Sequence, residues 1–185
     1  MKKLILLLVL LLSIGGLAEA TEVAGIKLPN SVEISGQQLQ LNGYGIRKKY
    51  FFKIYVGALY TAQKVTTAAQ VVEAPGAKLI RLNFLYSKLE KERVVGGFAK
   101  GIAANSPELR KDPAVEQFLG WFNSEWVKGD QIELYITAEN LVSATHNDRK
   151  LGAVISANLA KALLLNYFGS EPVDDDLKNG MLGDI

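Results

Sequence analysis

The run Tyr50-Phe51-Phe52-Lys53-Ile54-Tyr55-Val56-Gly57-Ala58-Leu59-Tyr60 constrains the fold more than any other segment. Aromatic and β-branched residues dominate it, and these pack best on a pleated, half-buried surface. The run therefore reads as a long strand central to a sheet, and the rest of the domain must be arranged to cover it.

Its neighbours extend that sheet. Val32 and Ile34, then Leu39 and Leu41, alternate around Ser35-Gly36, which is a hairpin signal. Asn42-Gly43 reads as a second turn. Thr66 to Glu73 is expected to form a short helix closed by Pro75-Gly76, and Lys78 to Tyr86 alternates with Ile80, Leu82 and Phe84 on one face. Helices then dominate. Ser87 and Glu90 have capping-box spacing for a helix ending near Asn105, and Asp112-Pro113 opens another. Val115, Phe118, Leu119, Phe122 and Trp126 follow at helical spacing. Ile132, Leu134 and Ile136 form a strand after Gly129-Asp130, Leu141 to Thr145 pairs with it, and Val154 ends a third. The last elements are a helix from Ser156 to Phe168, stopped at Gly169, and a short one after Pro172. Strands and helices are grouped and not strictly alternating, so the class is α+β.

The N-terminus reads as an export signal. Lys2 and Lys3 precede the apolar run Leu4 to Leu12, and Ser13, Gly15 and Gly16 lead to Ala18-Glu19-Ala20. This order predicts a signal peptide over residues 1–20, cleaved between Ala20 and Thr21, with the domain occupying residues 21–185. The Lys-Lys start and short leucine-rich core are bacterial in type, which makes the periplasm the expected destination, with secretion from the cell as the alternative. Losing Lys2, Lys3 and Glu19 takes the charged residues from 21 basic and 19 acidic to 19 and 18. A near-neutral chain is not expected to bind nucleic acid, which needs a basic surface. No later segment is apolar for long enough to insert stably in a bilayer. Without cysteine and with one histidine, the chain lacks the commonest metal ligands, and neither metal nor cofactor is expected.

Arg47 is the leading candidate for chemistry. Gly43 and Gly45 flank Tyr44 and place the arginine at the mouth of the long strand. Its planar fork of donors suits a carboxylate or an enolate. Tyr55 lies eight residues on, an even separation that puts both side chains on one face if the intervening turn keeps register. The other candidates have ordinary explanations. His146-Asn147-Asp148 reads as an exposed turn, Asp174-Asp175-Asp176 as acids favoured in a first helical turn, and Lys48, Lys49 and Lys53 as a solvated edge. Phe118, Phe122 and Trp126 read as core, with a pocket wall as the alternative. Gly96, Gly97 and Gly101 lie inside the helix before Asn105, each costing up to about 1 kcal/mol relative to alanine. Close packing and space for a ligand are the two explanations left open.

Three blocks in order resemble bacterial members of the chalcone isomerase-like family. They are Leu41-Asn-Gly-Tyr-Gly-Ile-Arg47 with Tyr50 to Tyr60, then Lys78-Leu-Ile-Arg81, then Leu164-Leu-Asn-Tyr-Phe-Gly169 with Val173-Asp-Asp-Asp-Leu-Lys178. The resemblance implies an open-faced sandwich, a large antiparallel sheet covered by helices with a ligand cleft between. It also implies that Arg47 holds the ligand, and that Tyr55 matches the tyrosine which fatty-acid-binding members pair with that arginine. A threonine of the plant isomerases falls on Asn166. Those enzymes carry threonine where this chain has Tyr55, and they use a tyrosine and an asparagine that Leu89 to Phe98 lacks.

The expected function is accordingly a non-catalytic exported binding protein for a small apolar anion such as a fatty acid. Arg47, Tyr55 and Asn166 are its candidate site residues. An isomerase or intramolecular lyase, in which Arg47 stabilises the enolate formed when a phenolate closes on an unsaturated ketone, is the enzymatic alternative. An envelope interaction module with a vestigial cleft is the third. The sequence carries no signal for oligomeric state.

Overall fold

The structure is a computed structural model and describes residues 20–184. The expected signal peptide lies outside the described residues except for Ala20, which opens the first strand.

Seven strands form one antiparallel sheet. Four belong to its first half: β3 (Ser31–Ile34), β4 (Gln37–Lys49), β5 (Phe52–Thr61) and β6 (Lys78–Phe84). The others are β9 (Gln131–Ile136), β10 (Leu141–His146) and β11 (Arg149–Ile155). The order β11-β10-β9-β6-β5-β4-β3 places β5 and β6 in the interior, where their runs of apolar residues are covered on both faces. A separate hairpin, β1 (Ala20–Val23) with β2 (Ile26–Pro29), and a short pair, β7 (Lys88–Leu89) with β8 (Trp126–Val127), complete the strands.

The helices are α1 (Ala68–Glu73), α2 (Lys91–Asn105), α3 (Pro113–Gly120), α4 (Ala157–Phe168) and α5 (Asp175–Met181). All five contribute to one core with Ile80, Leu82 and Phe84, the sheet face identified from the alternation. Their starts follow from local chemistry. The side chains of Thr67, Asp112, Ser156 and Asp174 each accept a bond from an otherwise unpaired first-turn amide. The opposite sheet face carries a smaller core, in which Val56, Ala58, Tyr60 and Leu79 pack with Leu28 and Ile26 of the β1–β2 hairpin. That hairpin was not recognised in the sequence, because its strands are four residues each and its turn is Ala24-Gly25.

Three expectations about elements are corrected. Asn42-Gly43 is not a turn, because β4 runs through it from Gln37 to Lys49. The buried Asn42 side chain spends its hydrogen bonds on tertiary partners, accepting from the Val65 amide and donating to the Val65 and Met181 carbonyls. Ser87 does not cap α2. Lys88 and Leu89 are drawn into strand pairing with Val127 and Trp126, so the helix starts at Lys91 with Glu90 as a cap that makes no side-chain bond. Trp126 belongs to β8, not to a helical stripe, since α3 ends at Gly120.

Candidate functional site

Gly43, Gly45 and Arg47 alternate along the helix-facing side of β4. The two glycines are there because α5 lies directly on them. A β-carbon at Gly43 would come within 2.7 Å of the Met181 carbonyl oxygen, and one at Gly45 within 2.9 Å of the Leu177 Cα. Arg47 is thus the first side chain beyond the footprint of α5. It stands within β4 itself, where the sequence placed it at the mouth of the next strand.

Arg47 and Tyr55 are direct partners across the β4–β5 ladder. Their shared face does not come from even spacing. The hairpin closes with Lys49 opposite Phe52, and undisturbed pairing from there would set Arg47 against Ile54. A bulge between Arg47 and Lys48 leaves Ile54 unpaired, advances the register by one and brings Tyr55 opposite. A second bulge, at Asn42 on the other strand, cancels the shift, so the displaced register is confined to the segment between Gly43 and Arg47.

The guanidinium carbon of Arg47 lies 5.4 Å from the centre of the Tyr55 ring. Among the described residues no carboxylate comes within 4 Å of this guanidinium. Tyr55 is buried, and its phenol is the neighbour of both the Arg47 guanidinium and the Tyr167 phenol on α4, each of which acts on its protonation. Burial raises the Tyr55 pKa, and the charge and hydrogen bond of Arg47 offset this only in part. Tyr167 is held well above the ordinary tyrosine value, first by burial and then by Tyr55. Both phenols are therefore neutral donors at any physiological pH.

Around this group opens a cavity of ≈ 870 Å³, within the range that holds small apolar ligands. Arg47, Ile54, Tyr55, Leu82, Phe84 and Ile132 line it from the sheet, and Asn166, Tyr167 and Val173 from α4 and the segment after it. On the α2 side the lining includes Val94, Gly96, Gly97 and Phe98. Tyr50, Phe52 and Tyr86 reach its mouth. Both glycines belong to this lining, and a β-carbon at Gly96 or Gly97 would meet nothing within 4 Å. Gly101 answers the other explanation, for there the Asn166 side chain fills the space a β-carbon would take. Asn166 is buried and its Oδ1 has no partner.

Arg47, Tyr55 and Asn166 thus line one cavity. Tyr167 was missed as a site residue, although it sits beside Asn166 in a segment singled out for its pattern. Nothing in the local sequence indicates that its ring turns toward Tyr55. Phe118, Phe122 and Trp126 do not line the cavity. They stack behind it, where Phe122 packs on Phe98 at 5.0 Å and Trp126 on Phe84 at 5.8 Å. His146 is not an exposed turn residue. It ends β10 with its side chain 16% exposed, its ring 4.2 Å from that of Trp126 and its Nε2 3.2 Å from Asp130, while Asn147-Asp148 alone make the turn. Asp174 caps α5 and also accepts from the Lys48 amide at 3.0 Å, which ties that helix to the end of β4. Among the described residues no cluster of three or more potential metal ligands occurs, and no helix is long and apolar enough to cross a membrane.

The fold and cavity define an open-faced α+β sandwich with a cleft between its antiparallel sheet and its helices. The chain belongs to the chalcone isomerase-like family, whose model matches residues 20–183. Its fold is similar to the crystal structure of a fatty-acid binding protein from Arabidopsis thaliana, with a TM-score of 0.73 at 21% identity. That match covers 89% of this chain and 96% of the other. Among curated proteins none matches the sequence significantly.

Proposed function

We propose that the protein is a non-catalytic carrier or sensor for a small apolar anion of the fatty-acid type. The observation that carries this reading is the pairing of Arg47 with Tyr55 on the wall of a ligand-sized cavity, lined by apolar side chains in its depth and by charged ones such as Lys49, Glu92 and Arg93 elsewhere, with no carboxylate within 4 Å of the arginine among the described residues. A half-buried guanidinium needs an acceptor, and a bound carboxylate supplies two oxygens in matching geometry. The neutral Tyr55 hydroxyl adds a donor, and Tyr167 braces it from behind. The tail then runs along Leu82, Phe84 and Phe98. Fatty-acid binding by the Arabidopsis protein of similar fold supports the assignment. The features of a vestigial cleft, a filled interior and Arg47 salt-bridged internally, are not found among the described residues.

The reading includes export through the N-terminal signal, with Thr21 as the first residue of the mature chain. Native mass spectrometry of protein purified gently from an expressing periplasm tests both parts. The expected result is the mass of residues 21–185 plus a small apolar acid that is released on denaturation and absent in Arg47→Ala. An unprocessed chain refutes export. A bound molecule retained in Arg47→Ala refutes the head-group assignment. A protein that carries nothing and takes up no added fatty acid, yet cyclises a chalcone only when Arg47 is present, is an isomerase.

A further inference from the structure

We propose that the tip of the β4–β5 hairpin, Lys48 to Lys53, is a membrane-docking element that seats the cavity mouth on an anionic bilayer. The tip exposes three aromatic residues in a row, with Tyr50 84%, Phe51 99% and Phe52 56% accessible. Among the described residues the other large exposed apolar side chains are Val127 in β8 and Ile155 at the end of β11, neither of them next to another in sequence. Lys48, Lys49 and Lys53 flank the rings and are all exposed. Aromatic rings bounded by lysines match a bilayer interface, where rings enter the headgroup layer and ammonium groups meet lipid phosphates. Asp174 to Asp176 lie at its base, where Asp176 meets Lys48 only at 4.0 Å in an exposed pair, and Glu90 and Glu92 on the α2 side of the cavity are offset by Lys88, Arg93 and Lys100 in the same lining.

The backbone supplies a second observation. Four hairpins in this fold close through two residues, and three use Ala24-Gly25, Ser35-Gly36 and Asn147-Asp148. The fourth uses Tyr50-Phe51, with Tyr50 held at φ 55. A bulky aromatic side chain is disfavoured in that region, and glycine or asparagine would serve the turn better. Folding gains nothing from Phe51, which is almost wholly in solvent. Among the described residues the exposed aromatic side chains of Tyr50, Phe51 and Phe52 sit on one narrow turn, far smaller than the patch a stable protein partner covers, so a bilayer is the fitting occupant.

The position of the tip gives the contact a use. Lys49, Tyr50 and Phe52 also line the cavity, so docking there opens the site toward the acyl chains. An apolar ligand then passes between bilayer and protein with little exposure to water. Docking itself requires no ligand.

The test is flotation of the processed protein, free of the Leu4–Leu12 run, with vesicles of phosphatidylcholine alone or mixed with phosphatidylglycerol. Binding is expected only to the mixed vesicles and is expected to weaken as salt is raised. Phe51→Ser and Lys53→Glu lie outside the cavity lining, and each should weaken it on the order of tenfold while leaving the thermal midpoint unchanged. Failure of the wild type to bind either vesicle overturns the proposal, as does wild-type binding by both variants. A dimer lost in Phe51→Ser without vesicle binding overturns it in favour of a protein contact. The assay contains no fatty ligand, so its outcome is independent of what the cavity holds.

Discussion

The Asn166 side chain occupies the space that a β-carbon would take at Gly101, which lets α2 and α4 cross at close range. Alanine at 101 must displace a buried side chain on a packed helix. Gly101→Ala is expected to destabilise the protein by about 2 kcal/mol, the usual cost of overpacking. Gly96→Ala meets open space and should stabilise by up to about 1 kcal/mol through helix propensity. Urea denaturation of the two variants reads opposite signs from one chemical change in one helix.

Arg47→Ala should weaken binding of a long-chain carboxylate on the order of tenfold to a hundredfold, the range for a lost charge-assisted hydrogen bond. Tyr55→Phe should cost less. Calorimetry with a fatty acid and the corresponding fatty alcohol separates head from tail, because the alcohol should be nearly indifferent to Arg47→Ala. An equal loss for both ligands would mean that the arginine shapes the cavity without pairing with the ligand.

Gly97→Leu adds a branched side chain at a cavity-lining position where a β-carbon meets no atom within 4 Å. Stability should hold or rise, since leucine is a better helix former than glycine. Affinity for a long acyl chain should fall on the order of tenfold, and shorter chains should be spared. Competition with a fluorescent fatty acid across a series of chain lengths measures this. Uniform loss at every length would indicate that the head-group end is blocked.

Asp130 ties the turn before β9 to the end of β10. Burial alone would raise its pKa. The Val127 amide, the Asn147 side chain and His146 outweigh that and hold it below the ordinary aspartate value. A carboxylate with a depressed folded-state pKa stabilises above its unfolded pKa, and this contribution is lost as pH falls through the folded one. Stability should therefore decline below about pH 4. Asp130→Asn should cost about 1 kcal/mol at neutral pH and flatten that part of the profile. Denaturant midpoints across acidic pH provide the comparison.

Local signals and long-range contacts explain which parts of this molecule were legible in its sequence. Alternation in Lys78 to Tyr86, the Ser35-Gly36 hairpin and the Asp112-Pro113 helix start all act over a few residues, and all are found, the strand ending two residues early at Phe84. Asn42-Gly43 has the local chemistry of a turn, but its partners Val65 and Met181 lie far along the chain, and they decide its conformation. The same holds for Ser87, displaced as a cap by strand pairing to Trp126 and Val127. Arg47 and Tyr55 were found together by pattern, yet the reason they meet, two compensating bulges, leaves no mark in residue spacing. Tyr167 joins them only through the packing of α4 on the sheet.

Those two bulges have a consequence for how such a chain varies. Pairing along a strand obeys parity, so one residue more or fewer exchanges inside for outside. Were Ile54 absorbed into regular pairing, Arg47 would face the isoleucine, and the phenol would turn toward the β1–β2 hairpin with no cavity to serve. The unpaired residue on each strand fixes the identity of the wall as firmly as the arginine does. A relative that keeps both the arginine and the tyrosine but lacks one bulge would have the letters of this site without its geometry.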